Sequence, residues 1–285
     1  MATQSGRLLI CATPIGNLED ITLRALRILR EADVIAAEDT RVTRKLLSFY
    51  DIKTHLISYY RHNEARRIPE LISRLKEGQT VALVSDAGMP GVSDPGALII
   101  KKALEEDIPI EIIPGASALL SALVISGLRT DSFSFHGFLP RKKADRKRVL
   151  KRLSAARETL IFYEAPHRIE KTLEDLCTEM SGRGIALARE LTKKFEEIRR
   201  GTVEEVLDSV QKRPAKGEIV LVVEGAGNVP VSVSDDEITA RLNSLAAAGV
   251  DKKDAVRSVV EELEVSKRRV YGLAEKAGLK RTPAS

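Results

Sequence analysis

The feature that most constrains this chain is a repeating alternation. Short apolar runs recur at 8–12, 34–37, 54–59, 81–84 and 110–113. Between them the apolar residues fall at helical spacing, as in Ile21, Ala25, Ile28 and Leu29, and again in Ile68, Leu71, Ile72 and Leu75. A run that is apolar throughout suits a strand buried on both faces, and a one-sided stripe suits a helix laid over it. The alternation of the two predicts a parallel sheet covered on both sides.

A second set of runs follows at 133–136, 160–163, 185–188, 198–202 and 219–223. No helix fits between 185–192 and 195–203, so these two segments are expected to pair antiparallel and to make the second sheet mixed. After Gly225 comes a linker-like stretch, AGNVPVSVSDDE, and then three short helical patterns at 235–247, 252–262 and 266–276. Gly249 and Ser266 provide a stop and a start signal there. The expected architecture is α/β, with domains at 1–118 and 119–232 and a three-helix module at 233–285. The last two helices have the spacing of a helix-turn-helix, which leaves open a nucleic-acid role or simple packing.

Composition narrows the class. The longest apolar stretch, ALLSALVI at 118–125, is far short of the roughly 20 residues that span a bilayer, and the opening MATQSGRLLICATP lacks the pattern of a secretion signal. Cys11 and Cys177 match no metal or redox spacing and are expected to be reduced thiols, in keeping with a cytoplasmic location. The net charge is only +5, but RKKADRKRVLKR at 141–152 sets eight basic residues against the single Asp145, and Lys267, Arg268 and Arg269 form a second cluster. Such clusters are either solvated helix faces or the footprint of a polyanion.

Chemistry gathers where the runs end. TPIGN (13–17), AEDTR (37–41), SYYRHNE (58–64), SDAGMPGVSDPG (85–96) and PGASA (114–118) follow the first five; GFLP (137–140), YEAPHR (163–168) and ARELTK (188–193) follow three of the second set. In open parallel sheets, ligands bind beyond the carboxyl ends of the strands. No GxxxxGK[ST] motif occurs, and the 85–96 loop is acidic without a lysine, so a phosphate cradle is not expected. Asp86 and Asp94 lack the phosphate grip that a magnesium site needs, no cluster has zinc spacing, and no metal is expected. An acidic loop stiffened by proline suits hydroxyl and ammonium donors. S-adenosylmethionine has both, with a sulfonium and no phosphate, although many small cations would satisfy the same loop.

These motifs, with ARELTKKFEE and GEIVLVVEG added, resemble in content and order those of the RsmI family of 16S rRNA (cytidine-2′-O)-methyltransferases, within the tetrapyrrole methylase superfamily. The resemblance runs over about residues 7–225, and the end module looks like that family's helix-turn-helix extension. It implies a two-domain fold binding S-adenosylmethionine between the domains, a homodimer, and methylation of a cytidine ribose in the decoding centre of the small ribosomal subunit, with 16S rRNA as partner. Carried over motif by motif, it implies cofactor contacts at Pro14, Ser85, Asp86, Met89, Ser117, Ala118, Tyr163 and Leu191. PGASA and YEAPHR stand where many relatives have PGPSA and YESPHR. The glycine-rich first loop of the porphyrin-modifying branch is absent, which argues against a tetrapyrrole substrate.

Other roles stay open for some of these residues. Asp86 competes with a helix-capping role better filled by Ser93 or Asp94, and Tyr163 is equally a core residue with a satisfied hydroxyl. A proton acceptor is needed for the ribose hydroxyl; the candidates are Glu38, Asp39, His62, Glu64, Glu164, His167 and Glu190. Glu64 and Glu190 are taken as proton handlers and Lys193 as the cationic stabiliser. Arg146, Lys147 and Arg148 are expected to bind the RNA backbone. With aromatics at 4% of the chain, recognition is expected to run through shape and phosphate rather than base stacking. Two rival readings are a superfamily transferase acting on a small molecule or protein side chain, and an RNA-binding assembly factor without catalysis.

Overall fold

The computed structural model describes residues 6–227, 234–263 and 265–276. It divides the chain into two compact units, Met1–Gly225 and Ala226–Ser285. Residue 118, where the sequence divides the two α/β halves, opens a helix inside the first unit. The boundary at 232/233 lies outside the described residues.

Strands β1 (Leu8–Cys11), β2 (Val34–Ala37), β3 (His55–Ser58), β4 (Val81–Val84) and β5 (Ile110–Ile113) form one sheet in the order β3-β2-β4-β1-β5, with every pairing parallel. β1, β2 and β4 are buried at all four positions, as unbroken apolar runs require. Helix α1 (Leu23–Glu31) buries Ala25, Ile28 and Leu29, the stripe read from the sequence, and is capped by the Thr22 side chain. α2 (Thr40–Phe49), α3 (Glu64–Lys76) and α4 (Ala97–Glu105) complete the cover, so two hydrophobic clusters lie one on each face of the sheet.

The second sheet contains β6 (Phe133–Phe138), β7 (Thr159–Glu164), β8 (Gly184–Arg189), β9 (Glu197–Thr202) and β10 (Ile219–Val223), ordered β6-β7-β10-β8-β9. β6 and β7 are parallel, and the other pairings are antiparallel, including β8 with β9. The mixed sheet expected from the absent helix is therefore present. α6 (Lys143–Leu153), α7 (Ile169–Glu179) and α8 (Val203–Lys212) cover one face. The other face receives α5 (Ala118–Ser126), whose Ala122 and Leu123 pack with Ile161, Ala186 and Val220. Ile15, from the loop after β1, joins the same cluster and locks the two sheets together.

The second unit is a three-helix module of α9 (Asp235–Ala247), α10 (Lys252–Leu263) and α11 (Lys267–Lys276) around Ile238, Leu242, Val256, Val259 and Val270. Ser234 caps α9. Arg269 of the second basic cluster is tied to Asp235 through its Nε at 2.9 Å, while Lys267 and Arg268 are exposed. Among the described residues no helix is long and apolar enough to cross a membrane.

Candidate functional site

The central strands β1 and β4 deliver their following loops side by side. Thr13 and Gly88 exchange backbone hydrogen bonds at 2.9 and 3.0 Å, and the Thr13 hydroxyl donates to the Ser85 carbonyl at 3.0 Å. Gly88 sits at φ +77°, which glycine tolerates without strain. The Ser85 hydroxyl is folded into its own turn. The acidic loop is thus an extension of the sheet, held at its base.

Its far end is held differently. Gly91 donates to the Pro95 carbonyl at 3.1 Å, closing a turn in which Ser93 takes φ +67°. That conformation costs a non-glycine residue energy, and it persists because the surroundings over-determine it. α4 starts at the uncapped Gly96, so neither Ser93 nor Asp94 takes the capping role considered for it.

Above this loop lies a cleft of about 440 Å³, within the range of small-molecule sites. One wall is Asp86, Met89, Asp94 and Glu38; the opposite wall is Ser117, Ala118, Tyr163 and the stretch 217–220 that opens β10. Among the described residues five carboxylates line it (Glu38, Asp86, Asp94, Glu164 and Glu218) and no lysine or arginine does. Such a lining repels phosphate and welcomes a cation or a diol. The carboxylates do not converge on a metal: among the described residues no group of three or more His, Cys, Asp or Glu is placed to hold one.

The carboxylates differ in their partners. Asp86 accepts from the Asp39 amide at 2.9 Å, yet burial holds its pKa above the ordinary value. Glu38 is raised first by burial and then by the Asp86 charge. Asp94 is pushed up to about 7 by burial, with Glu38 and Asp86 adding to the shift and Arg61 opposing it. Glu164 is fully engaged, accepting from the Thr172 hydroxyl at 2.6 Å and the Ala165 amide at 2.8 Å. Burial, and then the Asp94 charge, raise the pKa of the Tyr163 hydroxyl.

Of the residues carried over from the resemblance, Asp86, Met89, Ser117, Ala118 and Tyr163 line the cleft. Pro14, Ser85 and Leu191 are buried immediately behind it, with the neighbouring residue Ile15 facing in. Glu190 and Lys193 stand at the rim. Lys193 Nζ bridges Glu190 and Glu218, both at 3.1 Å, and Glu190 also accepts from the Glu218 amide at 3.0 Å. That amide, with Lys193, holds Glu190 below its ordinary pKa. Glu64 is not at the cleft surface; its buried carboxylate accepts from the Tyr59 hydroxyl at 2.9 Å and the Gly96 amide at 3.2 Å. His62 and His167 are exposed.

The basic helix α6 also divides. Arg146 is buried and paired with Asp175 at 2.7 Å, so the expectation that it meets an RNA backbone is corrected: its position on the helix turns it to the core. Arg148, Lys151 and Arg152 remain exposed.

The family model for tetrapyrrole (corrin/porphyrin) methylases matches residues 7–207. Ribosomal RNA small subunit methyltransferase I of Halalkalibacterium halodurans is 46% identical over 94% of both chains. The proteins of that name from Synechocystis and Bacillus subtilis are 45% and 44% identical, covering 94% and 93% of this chain and 97% and 93% of their own. The chain belongs to this family, the ribosomal RNA small subunit methyltransferase I branch of the tetrapyrrole methylases.

Solved tetrapyrrole methylases share the fold of this branch at low identity. Cobalt precorrin-4 methyltransferase matches with a TM-score of 0.59 at 18% identity, covering 76% of this chain and 94% of its own. A uroporphyrin-III C-methyltransferase from Thermus thermophilus, in complex with S-adenosyl homocysteine, matches at 0.55 and 18%, over 77% and 97%. Two parts of the family member's cleft had no site role from the sequence: Asp94, weighed only as a metal ligand or a cap, and Gly217 with Glu218, which open the motif GEIVLVVEG. The second pair precedes a strand rather than following one. β10 runs antiparallel to β7 and β8, so its amino end lies beside their carboxyl ends, with Ile219 opposite Glu164 and Arg189.

Proposed function

We propose that this protein transfers a methyl group from S-adenosylmethionine to ribosomal RNA of the small subunit, the acceptor being the 2′-hydroxyl of a cytidine in the decoding centre. The observation that carries the reading is the 46% identity, over nearly the whole chain, to a protein named for methylation of that RNA. The cytidine and its hydroxyl come from the motif series and its resemblance.

The chain's own residues fit such a cofactor. Asp86, Met89, Ser117, Ala118 and Tyr163 would hold it, over a floor kept in place by Pro14, Ser85 and Leu191. A lining of carboxylates without a cation suits a sulfonium and a ribose diol. When bound, the cofactor supplies an electrophilic methyl group. The enclosed walls orient the acceptor, and positioning contributes much of the rate of such a displacement. Lys193, balanced between Glu190 and Glu218, places a cation at the rim, where the RNA backbone would pass. Exposed Arg148, Lys151 and Arg152 extend the phosphate contacts.

The working assembly is a homodimer in the cytoplasm. α5 is apolar all round, and its Leu120 and Val124 stay exposed, a face suited to a second copy.

The test is transfer of isotope-labelled methyl groups to 16S RNA and to small subunits, with nuclease fragments weighed to find the nucleotide. A 2′-O-methylcytidine in the decoding centre is the expected product. Label on a base, or none on either substrate, overturns the reading; label on a small molecule instead favours the first rival.

A further inference from the structure

Asp94 faces the cleft and is not among the residues assigned to the cofactor. Of the five lining carboxylates, three are held by partners: Asp86 accepts from the Asp39 amide, Glu164 from the Ala165 amide and the Thr172 hydroxyl, and Glu218 pairs with the Lys193 ammonium. Asp94 has only the Ser85 hydroxyl close by, with Arg61 acting from a distance.

The loop is built to keep it there. The strained Ser93 and the Gly91–Pro95 turn bracket Asp94, and the Gly96 amide, donating to Glu64, fixes the exit. Tyr163, from the second sheet, lines the same cleft as Asp94. The charged and titratable groups that act on it are Glu38, Asp86 and Arg61, and Tyr163 lines the same cleft.

We propose that Asp94 is the general base of the methyl transfer, accepting the proton of the ribose hydroxyl as its oxygen attacks the methyl carbon. This rests on the function proposed above. The new bond is oxygen to carbon; the carbon–sulfur bond breaks, its electron pair staying on sulfur, and the hydroxyl proton passes to the Asp94 carboxylate. No further reactant is needed. Partly buried in the cleft, with the Glu38 and Asp86 charges acting on it, Asp94 binds a proton near neutrality, the range in which a base is both ionised and effective. A sulfonium entering the cleft favours its ionised form, so cofactor binding near pH 7 expels a proton from it.

The test compares wild type with Asp94→Asn and Asp94→Glu. Cofactor binding is followed by calorimetry at pH 7 in buffers of different ionisation enthalpy, and methyl transfer to small subunits is followed across pH. Wild type is expected to release protons on binding and to gain rate as pH rises toward neutrality. Asp94→Asn is expected to bind S-adenosylmethionine within about threefold, to release no proton, and to lose about 100-fold or more in kcat together with the pH limb. Asp94→Glu should recover part of that rate. An asparagine variant that keeps the proton release, or the pH limb with a rate within about fivefold, overturns the proposal. So does loss of cofactor affinity in both variants, which would make Asp94 a ligand. A wild type that binds cofactor but methylates no small-subunit RNA instead overturns the functional reading beneath it.

Discussion

Glu64 and Gly96 are joined across the floor of the cleft, the buried carboxylate accepting the backbone amide at 3.2 Å while it also takes the Tyr59 hydroxyl at 2.9 Å. Glu64 opens α3 and Gly96 ends the acidic loop, so one side chain ties the loop to the helical layer. A residue read from sequence as a proton handler is placed to act on the loop's position.

Glu64→Ala would leave a buried hydroxyl and a buried amide unsatisfied, at a cost of about 2–4 kcal/mol. In a chain of this size that lowers Tm by roughly 5–10 °C. Cofactor affinity should fall with it, because the loop that carries Asp86 and Asp94 loses its far anchor. Glu64→Gln keeps an acceptor oxygen and should be milder in both. Thermal melts and calorimetry check this; an alanine variant that melts and binds like wild type removes the latch.

Arg146 and Arg148 stand two residues apart on α6 and should behave oppositely. Arg146→Ala leaves Asp175, buried at 3% side-chain exposure, with only the Lys147 ammonium at 3.9 Å and should destabilise the fold by about 3 kcal/mol. Reversing Arg148, Lys151 and Arg152 to glutamate should leave Tm nearly unchanged. It should lower RNA affinity steeply at low salt and flatten the salt slope by about one per lost phosphate contact. Melting curves and binding titrations across a salt series separate the two; equal effects of both variants on stability would contradict the assignment.

Much of this fold was legible because its signals are local. Fully apolar runs gave the strands of the first sheet, the one-sided stripes gave α1 and α3, and the missing helix between β8 and β9 gave the mixed sheet. Most loops of the site were legible because they follow strands whose carboxyl ends share one edge. Glu218 was not, since only antiparallel pairing of β10 brings its amino end to that edge, and pairing direction is a long-range property. Arg146 was hidden by its neighbours: seven other basic residues between 141 and 152 mask the one whose helical phase points inward. Glu64 was misplaced because a carboxylate in a polar loop motif gives no local sign that a tyrosine five residues before it will enclose it.

Gly16 is packed against the ARELTK loop so closely that a Cβ there would lie 2.5 Å from Lys193 Cγ and 2.8 Å from the Leu191 carbonyl. The next residue, Asn17, donates its amide to the Thr192 hydroxyl at 3.0 Å. Gly16→Ala should therefore push the first loop away from the second sheet, moving Ile15 at the cleft wall and Lys193 at its rim. Cofactor affinity is expected to fall about tenfold, a change of about 1.4 kcal/mol, with a loss of stability of the size usual for overpacking. Calorimetry with S-adenosylmethionine checks it, and unchanged affinity would mean that the contact yields without moving the cleft.

The three carboxylates Glu38, Asp86 and Asp94 put a cost on the empty cleft that should be visible as pH-dependent stability. Asp94 binds its proton more tightly in the fold, at about 7, than in an unfolded chain, where aspartate titrates near pH 4. The folded state then holds more protons between those limits, so the contribution of this group is full below about pH 4 and is lost as pH rises to about 7. Asp94→Asn has no charge to bury. Its Tm relative to wild type should climb between about pH 4.5 and pH 7 and level off above, an increment softened by the water that reaches the cleft. Groups common to both proteins cancel in that difference. A variant whose advantage stays flat across the range would show that Asp94 titrates as an ordinary surface carboxylate, and the cleft would then have no charge strain to relieve when a cation binds.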